Sequence, residues 1–293
     1  MRILVTGATG YLGRSVALAL AADGHRVDAL TRDPGADRAT ALERDGITPV
    51  QGDLGDESSL SAALRDVDAV AHTAFDADDH LGTDRSLFAA LESAASDGRS
   101  RHLVYTTGCS VYGPGDHTVL TESTPVDPDS VRAGLEAELR STGIPATVLR
   151  PAMVHGGDAR TSIVGRWFRQ ARSGAPVHHG RPGKLWSWVH VEDAAAAYVA
   201  VLREPAAHVG RTYLLADDRA VPALTVLEAA ARAAGFVGQI GFAPIEDELP
   251  TYRVFDHDEV VDATQARSRL GWVPTRPDVL SELAGSYAAW SRS

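Results

Sequence analysis

The chain has 293 residues, 44% hydrophobic and 23% charged, enough for one large or two modest globular domains around a sizeable core. Its 39 acidic and 28 basic residues leave a formal charge of −11, which excludes nucleic acid or an anionic membrane surface as the main partner. One cysteine, Cys109, excludes a disulfide framework and a multi-cysteine metal site. The longest apolar run, 194–202, falls far short of the roughly 20 residues a membrane-spanning helix needs. Met1 leads directly into a strand-like run without a signal-peptide stretch, so a cytoplasmic protein acting on a small molecule is expected.

Short β-branched runs alternate with Ala/Leu-rich amphipathic stretches through the first half. The pattern predicts strands at 2–6, 27–31, 48–51, 68–72, 102–106 and 146–149, with helices at 10–22, 58–65, 83–96 and 130–141. Such alternation implies βαβ units with right-handed crossovers, hence an α/β, Rossmann-type doubly wound parallel sheet. After about Val154 the rhythm breaks at Gly156, Gly157, Gly174 and the 180–183 segment. The expected organisation is a dinucleotide-binding domain over 1–155, to which 188–202 returns as a strand and helix. A smaller C-terminal substrate-binding lobe is expected from 156–187 and 203–293.

Gly7-Ala8-Thr9-Gly10-Tyr11-Leu12-Gly13 follows the first strand and opens the first helix. Glycines at this spacing permit a tight turn and let backbone N–H groups approach a pyrophosphate at the helix N-terminus. Gly7, Thr9, Gly10, Tyr11, Leu12 and Gly13 are therefore candidate cofactor contacts. Arg32 stands just past the second strand, where a 2′-phosphate would meet it, so NADPH is expected over NADH. Asp33 beside it keeps NADH as the alternative. His178 and His179 have no carboxylate or cysteine at ligand spacing nearby, so no metal is expected.

The GxxGxxG turn, Val111-Tyr112-Gly113, the run Arg150 to Gly156, 189–193 and Leu270-Gly271-Trp272-Val273-Pro274 occur in an order that resembles the extended, epimerase-like short-chain dehydrogenase/reductases across nearly the whole chain. The resemblance implies adenine contacts from Asp53 and Leu54 and cofactor-lining residues Thr73 and Ala74. It implies a nicotinamide-lining stretch with Pro151, Met153 and Val154, in which His155 replaces the family's Tyr. It also implies a homodimer built on helices 83–96 and 130–141.

Members of that family carry a Ser or Thr three residues before the VYG motif, and a YxxxK pair on the following helix. There the Tyr protonates the developing alkoxide, and the Lys lowers its pKa. Here Gly108 falls at the Ser/Thr position, and Ser130 and Gly134 fall at the Tyr and Lys positions. A check independent of register agrees: Lys184 is the only lysine, and Gly180 lies four residues before it. Epimerisation and dehydration are thereby disfavoured, since both need the Tyr.

Hydride transfer asks mainly for positioning of a carbonyl. Thr107, Ser110, Tyr112 and His155 are the candidate catalytic groups near such a carbonyl. Ser110, Ser130, Gly134 and Trp186 are candidate substrate contacts, the small residues leaving room for a bulky ligand. Trp167, Phe168, Trp186 and Trp188 are read as an aromatic wall, and 178–183 as a lid. The triad loss resembles ketoreductases of angucyclinone-type aromatic polyketides, implying NADPH-dependent ketone reduction with a proton from a substrate phenol or water. The NmrA-type NADP(H) sensors, which keep the fold without the triad, supply the alternative function.

Overall fold

The computed structural model describes residues 1–76, 79–115, 119–245 and 256–292, and the chain divides into two compact units. The first comprises Met1–Thr107, Val131–Leu149 and Ala195–Tyr213; the second comprises Gly108–Ser130, Arg150–Ala194 and Leu214–Ser293. The expected first domain was 1–155 with 188–202 returning to it, and the observed boundaries differ from these. The 108–130 segment joins the second unit, and the chain returns to the first at Ala195.

The first unit is built on β1 (Arg2–Thr6), α1 (Tyr11–Ala22), β2 (Arg26–Thr31), α2 (Asp37–Arg44), β3 (Thr48–Gln51), α3 (Glu57–Leu64), β4 (Ala69–His72), α4 (His80–Ala94), β5 (His102–Thr106), α5 (Val131–Ser141) and β6 (Ala146–Pro151). The β1, β2, β3, β4, β5 and β6 pairings are all parallel. Together with β10 (Thr212–Leu215), the order is β10-β6-β5-β4-β1-β2-β3, a Rossmann-like seven-stranded parallel sheet. Connectivity reverses between β1 and β4, and ligands of such sheets bind beyond the strand C-termini at that switch point. One layer of core packs Leu4, Val70, Leu103 and Val148 of the strands against Leu60, Leu64, Leu87, Leu91, Leu135 and Leu139 of the helices. Burying each of these side chains contributes about 1.5–3 kcal/mol.

The second unit holds β7 (Met153–His155), α6 (Ile163–Arg172), β8 (Val177–His179), β9 (Leu185–His190), β11 (Ala220–Pro222), α8 (Ala223–Ala233), β12 (Gly241–Ala243), α9 (Thr264–Leu270) and α10 (Val279–Trp290). The helix α7 (Val191–Arg203) starts in this unit and continues into the first. Strands β11, β9 and β7 form one small sheet, and β12 and β8 another. Trp167, Phe168, Trp186 and Trp188 pack with Val226, Leu227 and Leu283, all at most 6% exposed. They are the core of this unit rather than an open aromatic wall, packed with the buried faces of α6 and α8.

The 178–183 segment is also tied down. His178 and His179 belong to β8, and the Arg181 amide donates to Asp256 Oδ1 at 2.7 Å. Two stretches recognised in the sequence meet here as well. Asp193 accepts from the Thr275 and Arg276 amides at 3.0 and 2.9 Å, while Trp272 Nε1 donates to the Asp193 carbonyl at 2.7 Å.

Glu259 is 2% exposed, and burial alone pushes its carboxyl up to about 8. The folded chain then holds a proton that an exposed glutamate loses near pH 4.3, so stability falls as pH rises between these values. Glu259→Gln is expected to leave urea stability at pH 5 nearly unchanged and to raise it by roughly 2–4 kcal/mol at pH 9. A difference between variant and wild type that does not vary with pH would contradict this assignment.

Candidate active site

Beyond β1 the chain turns at Gly7, whose φ of +73° suits a residue without a side chain. A Cβ on Gly7 would lie 2.7 Å from the Ala74 nitrogen, and one on Gly13 would lie 2.1 Å from the Gly7 oxygen and 2.4 Å from Thr73 Oγ1. These glycines let the β1 turn, the first turn of α1 and the β4 turn close on one another. Thr73 Oγ1 donates to the Thr6 carbonyl at 2.7 Å and seals the junction. Gly10 is the N-cap of α1 and offers no side-chain acceptor, and no acidic residue occupies the first turn. The helix thus presents open N–H groups and its positive end, which fits a pyrophosphate.

Arg32 is exposed at the tip of β2 and makes no ion pair among the described residues. Its neighbour Asp33 is turned into its own loop, with Oδ1 accepting from the Gly35 amide at 2.9 Å. Asp53 does the same with the Gly55 amide at 2.9 Å, while Leu54 is half-buried against the core. Thr9, Tyr11, Leu12, Thr73 and Ala74 are half-buried around the glycine turn. Taken together, the residues of the first unit fit a nicotinamide dinucleotide.

The sheet's switch point is stapled by a buried polar chain. Thr6 Oγ1 and His72 Nδ1 are 2.8 Å apart, His72 Nε2 lies 3.0 Å from Asp84 Oδ1, and the Tyr105 hydroxyl donates to Asp84 Oδ2 at 2.5 Å. Burial pushes the Asp84 carboxyl up, but the His72 bond and charge, the Tyr105 bond and the Arg132 charge outweigh it and hold the pKa below its usual value. Burial and the Asp84 charge push the Tyr105 phenol far up, so it remains a donor.

Helix α5 aims a different pair at β5 from the one expected. Gly134 is exposed and a Cβ there would meet nothing within 4 Å. Ser130 lies in the turn before the helix, its amide donating to the Asp127 carbonyl at 3.0 Å. Arg132 and Glu136, four residues apart on the same helical face, reach the end of β5 instead. Arg132 Nη2 donates to the Thr106 carbonyl at 2.8 Å, and its guanidinium carbon lies 5.2 Å above the exposed Phe75 ring. Glu136 is fully buried; its Oε1 accepts from Thr107 Oγ1 at 2.7 Å and its Oε2 from Arg140 Nη2 at 2.8 Å. The i, i+4 ladder Arg132–Glu136–Arg140 was the available signal for this register, and the reading of SerxxxGly passed over it.

The remaining candidates lie in the second unit. The Tyr112 hydroxyl donates to the Thr121 carbonyl and accepts from Arg150 Nη1, both at 2.7 Å, and burial pushes its pKa well up. With both roles taken, Tyr112 is a structural clasp. Ser110 is half-buried, and its hydroxyl has no hydrogen-bond partner among the described residues. His155 is 1% exposed on β7; neither ring nitrogen is hydrogen-bonded, and Asp217 Oδ2 lies 3.6 Å from Nε2. Its ring abuts Trp188 and His190 at centroid distances of 6.2 and 5.3 Å. Pro151 ends β6, and Met153 and Val154 pair with Trp188 and Val189 of β9. Trp186 is 3% exposed, stacked on Trp167 at 6.3 Å with Lys184 Nζ above it at 5.1 Å.

Residues 3–216 match the model of the NAD dependent epimerase/dehydratase family. The chain belongs to this family. It is 31% identical over 312 residues to the 3-diazoavenalumate denitrifying reductase of a Streptomyces species, covering 94% of this chain and 97% of that one. It is 33% identical over 221 residues to the (4-alkanoyl-5-oxo-2,5-dihydrofuran-3-yl)methyl phosphate reductase of Streptomyces griseus, covering 75% and 70% of the two chains. The Thermus thermophilus UDP-glucose 4-epimerase, solved with NAD, superposes with a TM-score of 0.80 at 21% identity, covering 99% of each chain. The protein is thus an enzyme of the NAD(P)-dependent oxidoreductase type. Among the described residues, no helix is long and apolar enough to cross a membrane.

Substituting Gly13 by Ala should weaken binding of the nicotinamide dinucleotide at least about tenfold and destabilise the fold by roughly 1–3 kcal/mol, because backbone must move to admit the Cβ. Gly10→Ala, whose Cβ would sit 3.1 Å from the Gly7 oxygen, should have a smaller effect on both. Fluorescence titrations with NADH and NADPH and thermal melts check the order; equal effects at the two positions would contradict it.

Proposed function

We propose that the protein is an NADPH-dependent ketoreductase acting on a ketone of a bulky aromatic, angucyclinone-like polyketide intermediate. The observation that carries this reading is the combination, within the first unit, of an intact dinucleotide turn and a helix α5 that brings Arg132 and Glu136 to the end of β5. Bound NADPH supplies a hydride to the carbonyl carbon. Gly7, Thr9, Gly10, Tyr11, Leu12 and Gly13 hold the pyrophosphate, Arg32 the 2′-phosphate, and Asp53 and Leu54 the adenosine end. Thr73 and Ala74 line the turn beyond β4.

No Tyr–Lys pair stands ready to protonate the product oxygen, since the sole lysine, Lys184, lacks a Tyr four residues before it. An arginine, whose pKa exceeds about 12, gives up no proton, and Glu136 is fixed as an acceptor of two hydrogen bonds. On this reading the proton comes from the substrate or from water, and a ketone beside a phenol carries its own. Phe75, 61% exposed, offers a ring on which a fused aromatic ligand stacks. The names of the two Streptomyces relatives support reduction over epimerisation. The sensor alternative gives way to the enzyme, because those relatives are reductases.

Incubation with C4-deuterated NADPH and a panel of hydroxyaryl ketones should place deuterium on a carbinol carbon, read by mass spectrometry. The Arg32→Ala variant should raise the KM for NADPH roughly 10–100-fold with little change for NADH, because a charge-assisted contact to the 2′-phosphate is lost. Tight NADPH binding with no label in any ketone would overturn the ketoreductase reading. Equal losses with both cofactors would overturn the role of Arg32.

A further inference from the structure

The second unit holds a cavity of about 210 Å³, formed by β9, the connection from β10 to β11, and the start of α10 with the segment before it. That volume is below the roughly 300–1,000 Å³ of sites for drug-sized ligands, so it suits a smaller molecule. Val221, Pro274, Val279 and Leu280 give it apolar walls, and charged side chains stand among them. Most of these charges are committed. Asp218 pairs with Arg267 at 2.5 Å, and Arg276 pairs with Glu192. Asp278 caps α10, accepting from the Ser281 amide at 3.0 Å and the Ser281 hydroxyl at 3.1 Å. Arg219 is exposed and lies in the field of Asp278.

Asp217 is different. Its amide donates to the Trp188 carbonyl at 2.6 Å, which fixes the residue against β9. Its side chain lines the cavity, is 15% exposed, and accepts no hydrogen bond among the described residues. His155 Nε2 stands 3.6 Å from Oδ2, beyond hydrogen-bond reach. A carboxylate largely removed from water is costly without a donor to meet it. We infer that this cavity binds a small organic ammonium ion with an apolar body, an arylalkylamine in shape. The ammonium donates to Asp217, and the body lies against Val221, Pro274 and Leu280. A neutral alcohol of the same shape keeps the apolar contact and loses the charge-assisted bond, whereas a carboxylate meets Asp217 as a like charge. The assignment is independent of the ketoreductase reading. Every lining residue belongs to the second unit, and none is among those assigned to the dinucleotide.

Isothermal titration calorimetry of the full chain with 2-phenylethylamine, 2-phenylethanol and 3-phenylpropanoate tests the site. The amine should bind saturably at one site, the alcohol at least about tenfold more weakly, and the carboxylate without measurable heat. Asp217→Asn should weaken the amine at least about tenfold and leave the alcohol unchanged. Asp218→Asn, whose carboxylate Arg267 already engages, should change amine affinity by less than about twofold. That control separates a built site from the general attraction of cations to a chain of net charge −11. Leu280→Trp, at an exposed position of the cavity wall, keeps Asp217 and should block amine and alcohol alike. Circular dichroism checks that each variant is folded. Equal amine binding by wild type and Asp217→Asn, equal affinity for amine and alcohol, or no saturable binding of the amine would overturn the inference.

Discussion

The first unit depends on how closely three backbone segments meet at the switch point of its sheet. Gly7 and Gly13 have no room for a Cβ against each other or against Thr73 and Ala74, so β1, α1 and the turn after β4 stand as one piece. The Thr73 hydroxyl on the Thr6 carbonyl and the Thr6–His72–Asp84–Tyr105 chain extend that piece across β1, β4, β5 and α4. Low dielectric makes each bond in such a chain stronger, and makes the loss of any one more damaging. The same junction that fixes the sheet also presents the open end of α1, so the stability of the unit and its ability to hold a dinucleotide have one origin.

Charge is arranged around α5 with the same economy. Glu136 would be an expensive group to bury alone, and Thr107 and Arg140 satisfy it. Arg132, one turn earlier, is held by the Thr106 carbonyl, and its charge favours the ionised Asp84 carboxyl. A Tyr and Lys at such positions donate and tune a proton, whereas an arginine and a glutamate provide fixed charge and no transferable proton. That arrangement supports the proposed reduction, in which the substrate manages its own proton.

Much of the first unit was legible because each parallel strand is a short apolar run bounded by turn residues. β1, β3 and β5 begin and end where the pattern predicts, and β2, β4 and β6 differ by at most two residues at an end. Helix α2 was missed because its polar sequence carries only Ala39 and Leu42 as buried residues, too few to show a period. In the second unit, β7, β8, β11 and β12 are three residues each, below the length at which alternation can be read. The glycine turn was legible because spacing alone dictates its geometry. The face of α5 was not, since Ser130 and Gly134 share the spacing of Arg132 and Glu136, and only packing decides which pair points inward. Tyr112 was an attractive acid by sequence, and its clasp to Thr121 and Arg150 is a tertiary fact that no local pattern announces.

The proposed reduction asks no side chain of this enzyme to donate a proton in the hydride-transfer step. The pH dependence of that step, followed by stopped flow in H₂O and D₂O with a hydroxyaryl ketone, tests it most directly. A proton carried by the substrate predicts a rate that stays flat from about pH 6 to the pKa of the bound phenol, and there falls with the substrate's own titration. Ketones that differ in phenol pKa should move that point in step. A fall at one fixed pH, whatever the ketone, would reveal an enzyme acid and contradict the account.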